Sequence, residues 1–421
     1  MKTIVVNERE HTRVPFLRGI LTRSLLEAGL PFEQAFDLAS TVRDALAETA
    51  EVRSDELRRQ VALLLEARGE QDVLEHYRYP AAAPASIQVR SSSGRVSAFS
   101  RARHERFLQS SGMRADKAEH STAMVYDQLL AAGVAAIPAR KLGFLTYRCL
   151  RQEVSRKAAH RYLVWTAFQR TGRPLLLLIC GAVGTGKSTI ASEIAHLLEI
   201  VRIQSTDMLR EVMRMMLPRR LLPVLHTSSF SAWETLPLRD MRDRNQDQLI
   251  AEGFRSQVDL LAVPCEAVLL RAIEESVPLI LEGVHAHPQL LERVPRDSDA
   301  IAVHVTLAVL KTTDLQSRLV GRGKEIPQRR SSRYLNNFDA IWSLQSFLLS
   351  EADRCDVPII TNEEKDRSVQ QVIQQINHEL EKHFDASVQA VFGDVVDELG
   401  DGVRKLEWQE LVPLVGREPI G

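Results

Sequence analysis

An apolar run that ends in a glycine-rich loop constrains the fold of this chain more than any other feature. The run PLLLLICG (174–181) carries no charge and is bounded by Pro and Gly, which is typical of a strand buried on both faces of a parallel sheet. It continues into GAVGTGKS (181–188), which matches G-x-x-x-x-G-K-[ST], and an amphipathic helical segment follows. This order predicts a loop that holds the phosphates of a nucleoside triphosphate.

Each residue type in the loop has a chemical role. Glycines let backbone N–H groups turn toward the phosphates, and the helix N-terminus adds its positive end. Lys187 would bridge the transferred phosphate, and the Ser188 hydroxyl would ligate Mg²⁺. We therefore predict that ATP contacts the following residues of the loop: Gly181, Val183, Gly184, Thr185, Gly186, Lys187, Ser188 and Thr189.

Four similar apolar runs follow, with helical segments between them. They are VRIQST (201–206), VPLILEG (277–283), AIAVHVTLAV (300–309) and DVPIITN (356–362). Alternating strands and helices indicate a sheet covered by helices on both faces. We predict an α/β domain at residues 171–384 with five mainly parallel strands.

Charged residues end the second and third runs. Asp207 and Arg210 follow the second run one helical turn apart, on one face of STDMLREVMR. In small-molecule P-loop kinases an Asp here takes the acceptor's proton or holds Mg²⁺, and the Arg grips the acceptor's anionic group. We predict both as catalytic; the alternative is that Asp207 serves only as a helix N-cap. Glu282 ends the third run alone, which suits a metal or water contact and favours a kinase over a motor ATPase.

A basic stretch, RLVGRGKEIPQRRSSR (318–333), lies between the fourth and fifth runs. A charge run is usually a solvated face, but kinases of this fold carry an arginine-rich lid here that closes on ATP. We predict that Arg322 is catalytic, that Arg318 contacts ATP and that Arg333 contacts the acceptor. Gly321 and Gly323 are candidate hinges.

The segment LLPVLHTSSFSAWET (221–235) provides a candidate acceptor site. Its HTSS sequence offers one imidazole and three hydroxyls in four residues, which suits hydrogen bonding to a small oxygen-rich anion. Ser and Thr before a helix are often only caps. We predict that the acceptor contacts His226, Thr227 and Ser228.

The first 170 residues contain a duplication. Five residues recur 83 positions later, namely Phe16, Arg18, Leu25, Gly29 and Ala35 as Phe99, Arg101, Leu108, Gly112 and Ala118. Each copy opens with two short alternating runs around a polar turn, which predicts a β-hairpin, and continues with helical patterns. The order resembles the ATP-cone, a nucleotide-sensing domain, at residues 1–82 and 83–170. Only the second copy keeps a basic residue and a glycine in its turn, Arg90 and Gly94. The alternative is a pair of helical dimerisation or docking modules.

A series of motifs, in order, resembles the 2-phosphoglycerate kinase family. They are GAVGTGKSTIA, STDMLREVMR, LHTSSFSAW, EGFRSQV, LILEGVH, RSSRYLNNFDAIWSLQ and VPIITNE. The family also carries an N-terminal ATP-cone, whereas this chain has two such copies and an extension at 385–421 without an assigned role. The resemblance implies transfer of the ATP γ-phosphoryl group to the 3-hydroxyl of 2-phosphoglycerate, with Mg²⁺. The alternatives are another phosphorylated acid or a polyol such as inositol as acceptor, or a nucleotide-sensing ATPase.

Composition limits the partners. The chain has 54 Lys and Arg against 55 Asp and Glu, so no overall field attracts it to nucleic acid or an acidic membrane. Its four cysteines are scattered, and no apolar run approaches the roughly 18 residues of a membrane span. We predict a cytoplasmic enzyme with a small phosphorylated acid as substrate and adenine nucleotide as effector, and the sequence allows a homo-oligomer.

Overall fold

The computed structural model describes residues 3–7, 12–16, 18–47, 49–78, 87–237, 244–325, 331–400, 402–403 and 406–415. These residues form two compact units, within 1–87 and 88–421. No helix in the described ranges has both the length and the apolar character needed to cross a membrane.

The first unit is a three-stranded sheet with four helices. Its elements are β1 (Ile4–Asn7), β2 (Thr12–Pro15), α1 (Arg18–Glu27), α2 (Phe32–Ala45), β3 (Glu51–Arg53), α3 (Ser54–Ala67) and α4 (Gln71–Arg78). Strand β1 pairs antiparallel with β2 and parallel with β3. The helices bury Leu25, Leu38 and Leu65 completely, so this unit has its own apolar core.

The second unit opens with a sheet of the same topology. Its elements are β4 (Gln88–Arg90), β5 (Val96–Ala98), α5 (Arg101–Ser110), α6 (Ala115–Ala131), β6 (Ala136–Pro138), α7 (Ala139–Cys149) and α8 (Arg156–Thr171). A π-helical turn, Leu150–Val154, joins α7 to α8. Strand β4 pairs antiparallel with β5 and parallel with β6, as β1 does with β2 and β3.

Local geometry also recurs between the two sheets. Gly29 and Gly112 follow α1 and α5 with φ of +102° and +87°, which a residue with a side chain rarely adopts. The amide of the residue after each glycine donates to the carbonyl of Leu25 (3.0 Å) or Leu108 (3.2 Å). Both leucines are fully buried. This closure satisfies carbonyls at the helix C-terminus and turns the chain into the next helix.

A five-stranded parallel sheet forms the centre of the second unit. Its strands are β7 (Leu175–Gly181), β8 (Ile203–Ser205), β9 (Leu279–Glu282), β10 (Ile301–Ala308) and β11 (Ile359–Thr361), in the order β11-β10-β7-β9-β8. All four pairings are parallel, which confirms the predicted α/β sheet. Every residue of β7 is buried, as expected for a central strand with both faces covered.

Helices cover both faces of this sheet. They are α9 (Lys187–Leu198), α10 (Thr206–Met216), α11 (Gln246–Glu274), α12 (Thr312–Glu325), α13 (Ser331–Leu335), α14 (Phe338–Arg354) and α15 (Lys365–Glu381), with 3₁₀ turns at Pro223–His226, Ser229–Thr235 and Pro288–Arg293. Leu177 and Ile179 of β7 pack in one cluster with residues of α9 and α15. Leu176 and Leu178, which point to the other face, pack with α11.

Helices α16 (Val388–Leu399) and α17 (Trp408–Val415) pack against α7. The buried Arg148 of α7 donates to the carbonyl of Val403 (2.8 Å), and Lys141 pairs with Glu398 (2.7 Å). Trp408 is 2% exposed, and its indole N–H donates to Glu153 at 2.8 Å. The described residues of the extension 385–421, which had no assigned role, therefore pack within the second unit.

Candidate active site

The glycine-rich loop is closed by a residue that the sequence analysis did not single out. Gly186 has φ of +88°, and a Cβ there would overlap Asn362 Nδ2. That amide donates to the carbonyl of Thr185 at 2.8 Å, and Ser368 holds the Asn362 oxygen at 3.0 Å. Lys187 begins α9 and donates from Nζ to the carbonyl of Ala182 at 2.8 Å. The lysine ammonium therefore lies over its own loop.

Ser188 and Glu282 form an oxygen pair beside this loop. The Ser188 hydroxyl donates to Glu282 Oε1 at 3.1 Å, and Glu282 is 7% exposed. Mg²⁺ prefers oxygen ligands and takes few from protein when substrate phosphates and waters supply the rest. Among the described residues no three His, Cys, Asp or Glu side chains could jointly hold a metal. The pair thus fits a magnesium ion bound together with nucleotide phosphates.

Helix α10 begins next to this pair. Ser205 of β8 lies opposite Glu282 in the sheet, and Ser205 is also the residue at the N-cap of α10. Asp207 lies inside the first turn, so the N-cap alternative does not describe its position. Its carboxylate is 62% exposed and is 3.5 Å from Arg210 Nη2. The two residues share one helical face, as their spacing predicts.

Arg210 connects α10 to the HTSS segment. Its Nη1 donates to the carbonyl of Thr227 at 3.1 Å, and its side chain is 15% exposed. His226 Nε2 lies 2.9 Å from the carbonyl of Leu217, and the Thr227 hydroxyl donates to the carbonyl of Val224 at 2.8 Å. These two side chains of HTSS therefore hold the loop in shape beside Arg210.

The predicted lid begins as a helix. Arg318 lies in α12 and donates to the carbonyl of Asn362 at 2.6 Å, which places it against the glycine-rich loop. Arg322 lies in the same helix, and its side chain is outside the described residues, as are residues 326–330. Gly321 and Gly323, the candidate hinges, both lie within α12.

Arg333, at the other end of the basic stretch, contacts the HTSS segment. It lies in α13, and its Nη2 donates to the Ser228 hydroxyl at 2.5 Å. The structure therefore brings Arg318 to the nucleotide loop and Arg333 to the HTSS segment.

Two further polar residues, Gln257 and His285, belong to the site, although the sequence motifs that contain them indicated no role for either. Gln257 donates to the carbonyls of Val224 (2.6 Å) and Thr227 (3.3 Å), and His285 Nε2 lies 3.0 Å from Gln257 Oε1. His285 is 1% exposed, and its ring stacks on Phe254 at 5.5 Å between centroids. A buried amide and a buried imidazole that hydrogen-bond to each other and to the HTSS backbone make this part of the site rigid.

Buried histidines make the folded state sensitive to acid. Burial lowers the pKa of His285 and His304 to about 3 and that of His104 to about 4. The unfolded chain then binds these protons below about pH 6.5 while the folded chain does not, so stability falls as pH decreases. We expect a loss of about 1.4 kcal/mol per pH unit for each histidine below pH 6. Urea unfolding at pH 7.5 and 5.0 measures it; equal unfolding free energies would contradict it.

Comparison with known proteins finds several similar 2-phosphoglycerate kinases. No protein-family model matches the chain. The 2-phosphoglycerate kinase of Pyrococcus furiosus is 32% identical over 278 residues, which are 66% of this chain and 89% of the relative. That of Methanopyrus kandleri is 32% identical over 285 residues, 68% of this chain and 85% of the relative. That of Thermococcus kodakarensis is 34% identical over 250 residues, 59% and 82% of the two chains. A solved structure from Chloroflexus aurantiacus aligns with 49% of this chain and 97% of its own, at 16% identity and a TM-score of 0.27.

Proposed function

The chain belongs to the 2-phosphoglycerate kinase family, and from this premise we propose that it converts 2-phosphoglycerate to 2,3-bisphosphoglycerate with ATP as donor. It is a phosphotransferase that acts on a hydroxyl acceptor. The observation that carries the proposal is the position of Glu282. Its neighbours are Ser188 of the nucleotide loop on one side and Ser205, at the start of the Asp207 helix, on the other.

The nucleotide loop forms the donor half of the site. The backbone amides of residues 181–189 and Lys187 would bind the β- and γ-phosphates at the N-terminus of α9. Ser188 and Glu282 would hold Mg²⁺, with Asp207 as a further ligand, and the ion would neutralise charge on the phosphates. Arg318 lies beside the loop, and Arg322 follows one helical turn later. These arginines would stabilise the charge of the transferring group.

The acceptor half lies on α10 and the HTSS segment. Arg210 would bind the acceptor's phosphate or carboxylate, because a guanidinium matches two oxygens at once. His226, Thr227, Ser228 and Arg333 would surround the rest of the acceptor. Asp207 would accept the proton of the 3-hydroxyl while the oxygen of that hydroxyl attacks the γ-phosphorus in line. The bond to the β-phosphate oxygen breaks, and ADP leaves.

A labelling experiment tests this function. The purified protein is incubated with γ-labelled ATP, Mg²⁺ and, separately, 2-phosphoglycerate, 3-phosphoglycerate, other phosphorylated acids and inositols. We expect label in 2,3-bisphosphoglycerate only when 2-phosphoglycerate is present. Label in another compound would identify that compound as the acceptor in place of 2-phosphoglycerate. Release of labelled phosphate alone, whichever acceptor is offered, would favour the nucleotide-sensing ATPase.

We further propose that the two N-terminal repeats are ATP-cone-like domains through which adenine nucleotides regulate the kinase. Support comes from the second repeat, whose α5 contacts the helix that carries Lys187. The Ser110 hydroxyl donates to the carbonyl of Leu197 at 3.3 Å, and Arg106 pairs with Glu199 at 2.7 Å. A ligand that moves α5 would therefore displace α9, which begins in the nucleotide loop.

Two variants test whether nucleotide regulation can be altered without loss of catalysis: removal of the first repeat and a substitution in the second. Residues 88–421 form a compact unit of their own, so a chain that starts at residue 88 is expected to keep a kcat close to that of the full chain. The change Arg90→Ala in the full chain is expected to weaken the response of the rate to ADP and AMP at fixed ATP, because Arg90 lies at the hairpin of the second repeat. An unaltered response in both variants would contradict the regulatory proposal.

A further inference from the structure

A buried donor and a buried acceptor in the acceptor half both lack a hydrogen-bond partner among the described residues. They are Arg210 Nε, a donor, and His285 Nδ1, which belongs to a ring that is 1% exposed. An unpaired buried polar group destabilises the folded state, and native proteins contain few of them. Such atoms in a binding site indicate that another arrangement of the same residues pairs them.

The two side chains belong to one hydrogen-bonded network. Arg210 Nη1 and Gln257 Nε2 both donate to the carbonyl of Thr227, at 3.1 and 3.3 Å. Gln257 in turn lies 3.0 Å from His285 Nε2 through its Oε1. After burial, the positive charge of Arg210 is the strongest influence that lowers the pKa of His285. Arg210 and His285 are therefore linked through the Thr227 carbonyl and the Gln257 amide.

The network also determines which imidazole nitrogen carries hydrogen. The Gln257 amide nitrogen faces two carbonyls, of Val224 and Thr227, so the remaining amide atom is an oxygen and can only accept. His285 Nε2 must then donate, and in the neutral ring Nδ1 carries only a lone pair. Since burial lowers the pKa of His285 to about 3, the ring stays neutral near pH 7. Its Nδ1 can accept a hydrogen bond but cannot donate one.

We propose that His285 is a positioning residue for Arg210: when the acceptor binds, Arg210 Nε–H donates to His285 Nδ1, and both Nη groups turn to the acceptor's phosphate or carboxylate. In the structure described here Nη1 is engaged with Thr227 and Nη2 lies near Asp207. The turn therefore releases the two donors that a bidentate contact requires. This inference rests on the acceptor role of Arg210 in the proposed function.

Two substitutions separate the two nitrogens of His285. Glutamine can place an N–H near the position of Nε2 and keep the Gln257 bond, but it offers no acceptor where Nδ1 was. Asparagine can place an oxygen near Nδ1 and loses the bond to Gln257. We expect His285→Gln to raise the acceptor Kd and KM about tenfold while the KM for ATP stays unchanged. Asparagine should restore acceptor binding, though its loss of the Gln257 bond should lower the thermal midpoint.

Controls distinguish positioning from a general structural role. His287→Gln replaces another buried histidine of the same segment, which lies 3.6 Å from Glu351, and should leave the acceptor Kd unchanged. In an Arg210→Gln background the His285→Gln change should add nothing, because the two residues act as one unit. An unchanged acceptor Kd in His285→Gln would overturn the inference. So would a double variant that binds the acceptor more weakly than the Arg210→Gln single variant does. The acceptor used is the compound that takes up label in the panel, so failure of 2-phosphoglycerate there counts against the proposed function alone.

Discussion

Replacing Lys187 by methionine is expected to lower kcat for phosphoryl transfer by about a thousandfold. The lysine supplies the positive charge that follows the transferring phosphoryl group, and methionine keeps its length without the charge. Its ammonium lies 2.8 Å from the Ala182 carbonyl, in the loop that would bind the phosphates. Rapid-quench measurement of a single turnover gives the rate of the chemical step.

A matched lysine controls for the loss of charge alone. Lys365→Met removes a cation that pairs with Glu193 on the exposed side of α9, and its turnover should stay near that of the parent chain. Both variants should unfold at similar temperatures. A single-turnover rate for Lys187→Met within tenfold of the parent would exclude Lys187 from the transfer step.

Changing Asp207 to asparagine is expected to lower kcat by a factor of about 10² to 10⁴, the range observed when a general acid or base is removed. Asparagine preserves the shape of the side chain and a hydrogen-bond acceptor for Arg210, but it cannot take the proton of the attacking hydroxyl. ATP binding should change little, since Asp207 lies on α10 and not on the nucleotide loop. Steady-state rates and calorimetric ATP binding measure the two quantities.

The Mg²⁺ dependence separates the two roles proposed for Asp207. If the carboxylate acts as the base, the rate stays low at every Mg²⁺ concentration; if it acts mainly as a metal ligand, raised Mg²⁺ restores most of the rate. Glu211→Gln alters an exposed acid of the same helix, which pairs with Arg214, and should behave like the parent chain. Wild-type rates in Asp207→Asn would remove Asp207 from the mechanism altogether.

Local sequence patterns predicted the sheet because each of its strands lies in a short apolar run. All five strands lie inside the apolar runs of the sequence, and Leu175–Gly181 is buried at every position. The glycine-rich loop was predicted from its glycine spacing, and the structure places Gly184 and Gly186 at positive φ. Asp207 and Arg210 share a face because the helical period fixes it.

Other parts of the site depend on contacts between distant segments, which local patterns do not contain. Asn362 holds the nucleotide loop across 177 positions of the chain, and Gln257 meets His285 across 28. In the sequence these residues are polar positions within motifs, and nothing there indicates which distant residues they contact. The basic stretch 318–333 was predicted as a lid without a helix, because its charges and glycines mask the helical period of α12.

The contact of the C-terminal helices with α7 bears on the order in which the protein folds during synthesis. Lys141 and Arg148 are already translated when the ribosome begins the parallel sheet, yet their partners Glu398 and Val403 follow 257 and 255 positions later. Domains generally fold as units from the N-terminal end as they are made. Here the second repeat keeps a buried guanidinium without its carbonyl partners until synthesis has passed the entire kinase region. Completion of this repeat therefore requires residues that are synthesised after the nucleotide loop.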